Sequence, residues 1–100
     1  MITYYTKEGK FEAIGYFEIP YKNLHRLGGP AVERKNHSKE WWVNNKLHRL
    51  DGPAYISNRV NIWYINDKKL NTKEVETWIN NNNINLKTKQ HQVLFMVKFW

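Results

Sequence analysis

The residues best placed to do chemistry are two His-Arg pairs, His25-Arg26 and His48-Arg49, at matching points of a phrase that the chain writes twice. Leu24-His25-Arg26-Leu27-Gly28-Gly29-Pro30-Ala31 returns 23 residues later as Leu47-His48-Arg49-Leu50-Asp51-Gly52-Pro53-Ala54, with one substitution. Two imidazoles at equivalent positions of stacked units could lie side by side and offer a metal two nitrogens. A structural zinc site needs about four ligands and a catalytic one about three. No third ligand stands at a suggestive spacing, so no metal is expected. The expected role is structural: each His and Arg satisfies backbone carbonyls around its Gly-Pro turn or stacks on a neighbouring Trp.

Other reaction types find less to work with. A nucleophilic Ser needs an activating base and an orienting acid. Ser38 and Ser57 are the only serines, both in expected turns, and His37 is merely adjacent to Ser38. The carboxylates Glu33, Glu40, Asp51 and Asp67 read as surface or turn residues, Asp51 before Gly52 being a natural turn acceptor. Gly28-Gly29-Pro30 lacks the Lys-Ser/Thr and the following helix of a phosphate-binding loop. Without cysteine there is neither thiolate chemistry nor a disulfide. The expectation is a protein that is not an enzyme and uses no cofactor.

The elements that carry these residues follow from the repeat. A fixed period of about 20–50 residues marks stacked supersecondary units. Trp41-Trp42-Val43-Asn44-Asn45-Lys46 is echoed 22 residues on by Trp63-Tyr64-Ile65-Asn66-Asp67-Lys68. Each reads as a strand, a two-residue turn and a returning strand, because Asn and Asp tolerate the positive φ that a type I′ turn needs twice. Trp41–Val43 should therefore pair with Lys46–His48, and Trp63–Ile65 with Lys68–Leu70. Phe17-Glu18-Ile19, with a looser turn after it, reads as a degenerate first copy leading into Leu24. Gly29-Pro30 and Gly52-Pro53 interrupt the ladder, since Pro donates no backbone hydrogen bond. New strands are expected from Ala31 and from Ala54. Ile2–Tyr5 and a strand from Phe11 precede the array.

After Leu70 the pattern changes. Asn71 is an N-cap residue with Glu74 three positions later, and Val75, Trp78 and Ile79 share one helical face. A short helix over about 72–80 is predicted, ending in the Asn80–Asn83 run. It caps an array that would otherwise expose its last apolar edge. Val93–Trp100 is the most apolar stretch and is predicted as a final strand over about 92–100, with Val93, Phe95, Val97 and Phe99 on one face and Leu94, Met96 and Trp100 on the other. A strand apolar on both faces is either covered or an interface. Phe95, Val97, Phe99 and Trp100 are thus interface candidates, including for a homodimer through this strand. The fold class is mainly β: an antiparallel meander of hairpin repeats at about residues 17–70, one short helix and a terminal strand, in a single domain of 100 residues.

Composition sets the function classes. Aromatics are 15% of residues, which favours half-buried pleated surfaces. The net charge of +7 is spread along the chain rather than clustered, whereas a nucleic-acid reader shows a basic stripe. Neighbouring aromatics in Trp41-Trp42 and Trp63-Tyr64 point to opposite sheet faces. Trp42 and Tyr64 with Arg26, Arg34, Arg49 and Arg59 make a candidate aromatic-basic surface, able to anchor a protein or to stack single-stranded bases. No stretch has transmembrane length, and the N-terminus lacks a signal-peptide pattern. A cytoplasmic location is expected.

Hairpins of the form Trp-Tyr/Trp-Ile/Val-Asn-x-Lys-x-Leu-His-Arg followed by x-Asp-Gly-Pro-Ala resemble a MORN-like repeat class common in bacteriophage and other viral proteins of unknown function. The resemblance spans about residues 17 to 76 and is strongest over Asn45–Ala54. The first copy departs from it at Gly28, and the third has Leu70-Asn71 where His-Arg would stand. It implies a β-hairpin array of viral origin, working in a host cytoplasm, and lends no activity. Together these features favour a non-catalytic protein-interaction module, such as a phage or mobile-element factor that inhibits or redirects a host protein, an anti-CRISPR for example. The alternative is RNA or single-stranded DNA binding through a basic, aromatic sheet face.

Overall fold

In the second repeat unit the chain leaves the main sheet at Trp41, turns back as a short hairpin, and re-enters the sheet after Gly52-Pro53. This route is seen in a computed structural model that describes residues 2–14, 21–35 and 37–100. Its strands are β1 (Ile2–Thr6), β2 (Gly9–Ala13), β3 (Val32–Arg34), β4 (Lys39–Glu40), β5 (Trp42–Val43), β6 (Lys46–Leu47), β7 (Tyr55–Ile56), β8 (Asn61–Ile62), β9 (Tyr64–Ile65) and β10 (Lys68–Lys69). Two helices follow, α1 (Thr72–Asn81) and α2 (Lys89–Phe99). The fold is mainly β, built of antiparallel hairpin-like sheets.

Six strands form a spine in the order β2-β1-β3-β4-β7-β8, while β5-β6 and β9-β10 are separate two-stranded hairpins. Consecutive strands therefore do not run as one continuous meander. Trp41 is the corner: its N–H donates to the Ala54 carbonyl across the spine at 2.7 Å, and its own carbonyl accepts the His48 N–H across the hairpin at 3.0 Å. The Gly-Pro pairs allow the switch, because a residue without an N–H cannot continue the hairpin ladder. The hairpin registers are Trp42↔Leu47 with Val43↔Lys46, and Tyr64↔Lys69 with Ile65↔Lys68. Asn44, Asn45, Asn66 and Asp67 all have positive φ, between 47° and 66°, as the type I′ turns require.

The first copy is built differently from the other two. Tyr5 in β1 takes the place of Trp41: its N–H donates to Ala31, its carbonyl accepts from His25, and Thr6 bridges Leu24. The lead strand of unit one is thus separated from its return by the β2 hairpin and further chain. Phe17–Ile19, expected to lead this copy, lies outside the described residues.

The helices cover the third unit. Asn71 caps α1, its Oδ1 accepting the Glu74 N–H at 2.9 Å, and Val75 is fully buried. The expected terminal strand is instead α2, capped by Thr88, whose Oγ1 accepts the His91 N–H at 3.3 Å. A run apolar at nearly every position carries no period of its own, so tertiary contacts choose the conformation. A helix places Phe95, Met96 and Phe99 on one face, and Phe95 then packs against Trp63 at 5.5 Å between ring centroids and against Phe99 at 5.3 Å. Trp63, Ile65, Leu70, Val75, Leu86 and Phe95 form the larger core cluster; Ile2, Ala13, Leu24 and Val32 form the smaller one under the spine. Leaving the Ile, Leu, Val and Phe side chains of these clusters in water would forfeit about 1.5–3 kcal/mol each, which favours ending the array under a helical cover.

Candidate functional site

The repeated residues hold one unit to the next. The His25 Nδ1 accepts the backbone N–H of Asn44, and the His48 Nδ1 accepts that of Asn66, at 3.0 and 3.1 Å. One position further on, the Asn45 N–H donates to the Leu24 carbonyl while the Asn45 Oδ1 accepts the Leu24 N–H. Asp67 makes the same reciprocal pair with Leu47. Each turn is thus clasped by the returning strand of the preceding unit, and the turn amide that faces it is satisfied by an imidazole. The histidines act as acceptors for the following unit rather than as donors to their own Gly-Pro turn. Burial pushes the His48 pKa below its ordinary 6.5, in keeping with an imidazole that must stay neutral to accept.

The arginines do serve their own turn. Arg26 and Arg49 each donate from Nη1 to the carbonyl of the turn proline, Pro30 at 3.0 Å and Pro53 at 2.9 Å. Each guanidinium lies over an aromatic ring, Arg26 on Tyr5 at 4.0 Å and Arg49 on Trp41 at 3.8 Å. The opposite face meets glycine: a Cβ on Gly29 or Gly52 would stand 3.1 or 2.8 Å from the Cζ of that arginine. The one substitution inside the repeated phrase also has a physical account. Asp51 accepts from Arg49 Nε at 2.7 Å, whereas Arg26 pairs with Glu33 at 3.0 Å, so Gly28 in the first copy leaves the arginine no less paired.

Most of the aromatic-basic candidates are occupied inside the fold. The Arg34 side chain is 7% exposed, paired with Glu40 and donating to the Tyr21 hydroxyl. Trp42 is half-buried against the smaller core, with Nε1 donating to Glu40 Oε1 at 2.8 Å. Tyr64 is half-buried, and Arg59 is exposed in the β7–β8 turn. Arg26 and Arg49 line a cleft of about 380 Å³ between successive repeat loops, closed on one side by Trp41 and His48 and touched by Gln92 of α2. Ser57 Oγ accepts the Val60 N–H within its own turn. Among the described residues no group of three or more His, Cys, Asp or Glu is placed to hold a metal.

The tail candidates divide between the two sides of α2. Phe95 is fully buried and Phe99 packs beside it, so both belong to the core. Val97 and Trp100 are 80% and 60% exposed, and they share their side of the helix with Val93 and Leu94, which the strand reading sets on opposite faces. Val93, Leu94 and Val97 stand at i, i+1 and i+4, one helical face. The readable signal was Thr88, a capping residue before eleven positions free of Gly and Pro. Since the segment is helical, the dimer expected through its strand edge has no strand to form it. Among the described residues no helix is long and apolar enough to cross a membrane. No family model, curated protein or solved structure matches the chain.

Proposed function

We propose that this protein is a non-catalytic protein-interaction module whose docking face is the outward side of α2. The observation that carries this reading is the exposure of Val93, Leu94 and Val97, with the C-cap Trp100, on a helix that already buries Phe95 and packs Phe99 beside it. A helix needs one apolar face to pack on its own domain; a second contiguous apolar face exposed to water suits a partner. The repeat array serves as a rigid platform, its junctions closed by His, Asx and Arg contacts. On the resemblance to viral hairpin repeats, the partner is a host protein that the chain inhibits or redirects.

The competing reading, single-stranded nucleic acid stacked on an aromatic-basic face, has less support. Of its four arginines only Arg59 is exposed, and Trp42 is tied down at its indole nitrogen. The test is co-purification from host cells of the chain and of its Val97→Asp variant, with and without nuclease. A stoichiometric protein that survives nuclease and is lost with Val97→Asp is the expected result. A recovery unaffected by Val97→Asp, or abolished by nuclease, would remove the proposal.

A further inference from the structure

Beside the outward face of α2 runs a trough that changes character along its length. Its first part, about 510 Å³, is lined by Trp78, Ile84, Leu94 and Val97 with His91 and Lys98 at its edge. A middle part of about 680 Å³ passes between Lys73 and Glu74 of α1 and Lys98 and Phe99 of α2. The last part, about 290 Å³, is lined by Lys68, Lys69 and Lys98. Lys98 borders all three, so they form one continuous surface, apolar at one end and cationic at the other. The apolar floor is firm: Trp78 meets Phe99 edge-on at 5.5 Å, and Phe99 rests on Phe95.

Among the described residues the cations of this trough are paired with no carboxylate. Among the described residues the ion pairs are Arg26–Glu33, Arg34–Glu40 and Arg49–Asp51, and none involves a lysine. Lys68 donates to the Phe99 carbonyl, at 3.3 Å. Among the described residues four lysines therefore line the trough with one acid, Glu74. We infer that the trough receives an acidic amphipathic segment of the partner protein, with aliphatic or aromatic side chains over Trp78, Ile84 and Leu94 and carboxylates toward Lys68, Lys69, Lys73 and Lys98. A second copy docked through this same face is a poor occupant, because it would bring the same lysines against these. This inference rests on the interaction-module reading and adds the chemistry of the partner. Apolar anchors in a groove give affinity, while charge at its rim steers encounter and selects the partner.

The test is an unbiased peptide-display selection on the full chain, with Val97→Asp and Lys69→Glu/Lys98→Glu variants as counter-targets. All three altered positions are exposed, so the variants should fold; circular dichroism and the unfolding midpoint check this. The expected result is enrichment of peptides that combine Asp or Glu with Phe, Leu or Trp. The synthesised consensus should bind the wild type, lose binding with Val97→Asp, and weaken about tenfold with the double lysine variant. Enrichment that depends on Val97 but shows no acidic preference would overturn this inference while leaving the interaction-module reading in place. Absence of any Val97-dependent peptide would overturn both. Lysine-dependent binding of oligouridylate or of anionic phosphatidylserine vesicles, in place of acidic peptides, would assign the trough to another class of partner and refute the inference.

Discussion

Replacing Gly52 by alanine tests whether the repeat junction is built around a sandwiched guanidinium. The new Cβ would stand 2.8 Å from Arg49 Cζ, with Nη1 and Nη2 at 3.0 and 3.1 Å. The guanidinium cannot retreat, because the Trp41 ring lies 3.8 Å away on its other face. It must swing out, giving up a cation–π contact of about 0.5–2 kcal/mol and a charged hydrogen bond to the Pro53 carbonyl of about 1.5–3 kcal/mol. Part of this is recovered as the displaced guanidinium regains water, and Gly→Ala lowers unfolded-state entropy by about 0.4–1 kcal/mol. A net loss of about 1–2 kcal/mol is expected. The repeat supplies its own controls. Gly29→Ala, with the contact at 3.1 Å, should cost less, and Gly28→Ala, with nothing within 4 Å, should be neutral or slightly stabilising. Urea unfolding followed by Trp fluorescence gives the midpoints. In an Arg49→Ala background the Gly52→Ala penalty should vanish. A Gly52→Ala protein as stable as the wild type, or a penalty that persists without Arg49, would refute the sandwich.

Three further outcomes follow from the same geometry. The folded pKa of His48 lies below 6.5 because burial disfavours the cation, so the unfolded chain binds the proton first. Stability should be level above pH 6.5 and fall as pH drops below it toward the folded value; His48→Ala should be less stable at pH 7.5 but flat between about pH 5.5 and 7, above the carboxylate range. Asp67→Gly keeps the positive-φ turn and removes only the acceptor for the Leu47 N–H, so it should lower stability by about 1–2 kcal/mol, while Asp67→Asn should nearly restore it; the urea midpoint reads both. Phe95→Ala empties the centre of the larger cluster and should cost about 3–5 kcal/mol, seen as a large drop in melting temperature.

What could be read in advance was whatever a local rule dictates. Asn44-Asn45 and Asn66-Asp67 announce their hairpins because few residues accept two positive φ values in succession, and Asn71 with Glu74 announces α1 through the cap they form. The arginine role was also legible, since a guanidinium beside a Gly-Pro turn has a carbonyl and a ring within reach. The contacts that escaped are those set at long range. His48 and Asn66 are 18 residues apart in sequence, and nothing near either names the other. Tyr5 replaces a tryptophan across the β2 hairpin, so no spacing marks it as the lead residue of the first unit. In α2 the one local signal, the Thr88 cap, stood against an apolar stretch from Val93 to Trp100 that fits either period, and packing on Trp63, Val75 and Trp78 favours the helix. The same ambiguity hid the surface candidate, because residues that alternate on a strand are regrouped by a helix into Phe95 with Phe99 inside and Val93, Leu94 and Val97 outside.

Site-specific photo-crosslinking in host cells reads out whether the outward face of α2 meets a partner protein. A benzophenone side chain placed at position 97 on α2, with position 59 in the exposed β7–β8 turn as the comparison, reports what lies against each surface. The account predicts one discrete protein adduct from position 97 and none from position 59. Adducts from position 59 alone, or an adduct from position 97 whose mass is that of two copies of this chain, would contradict it.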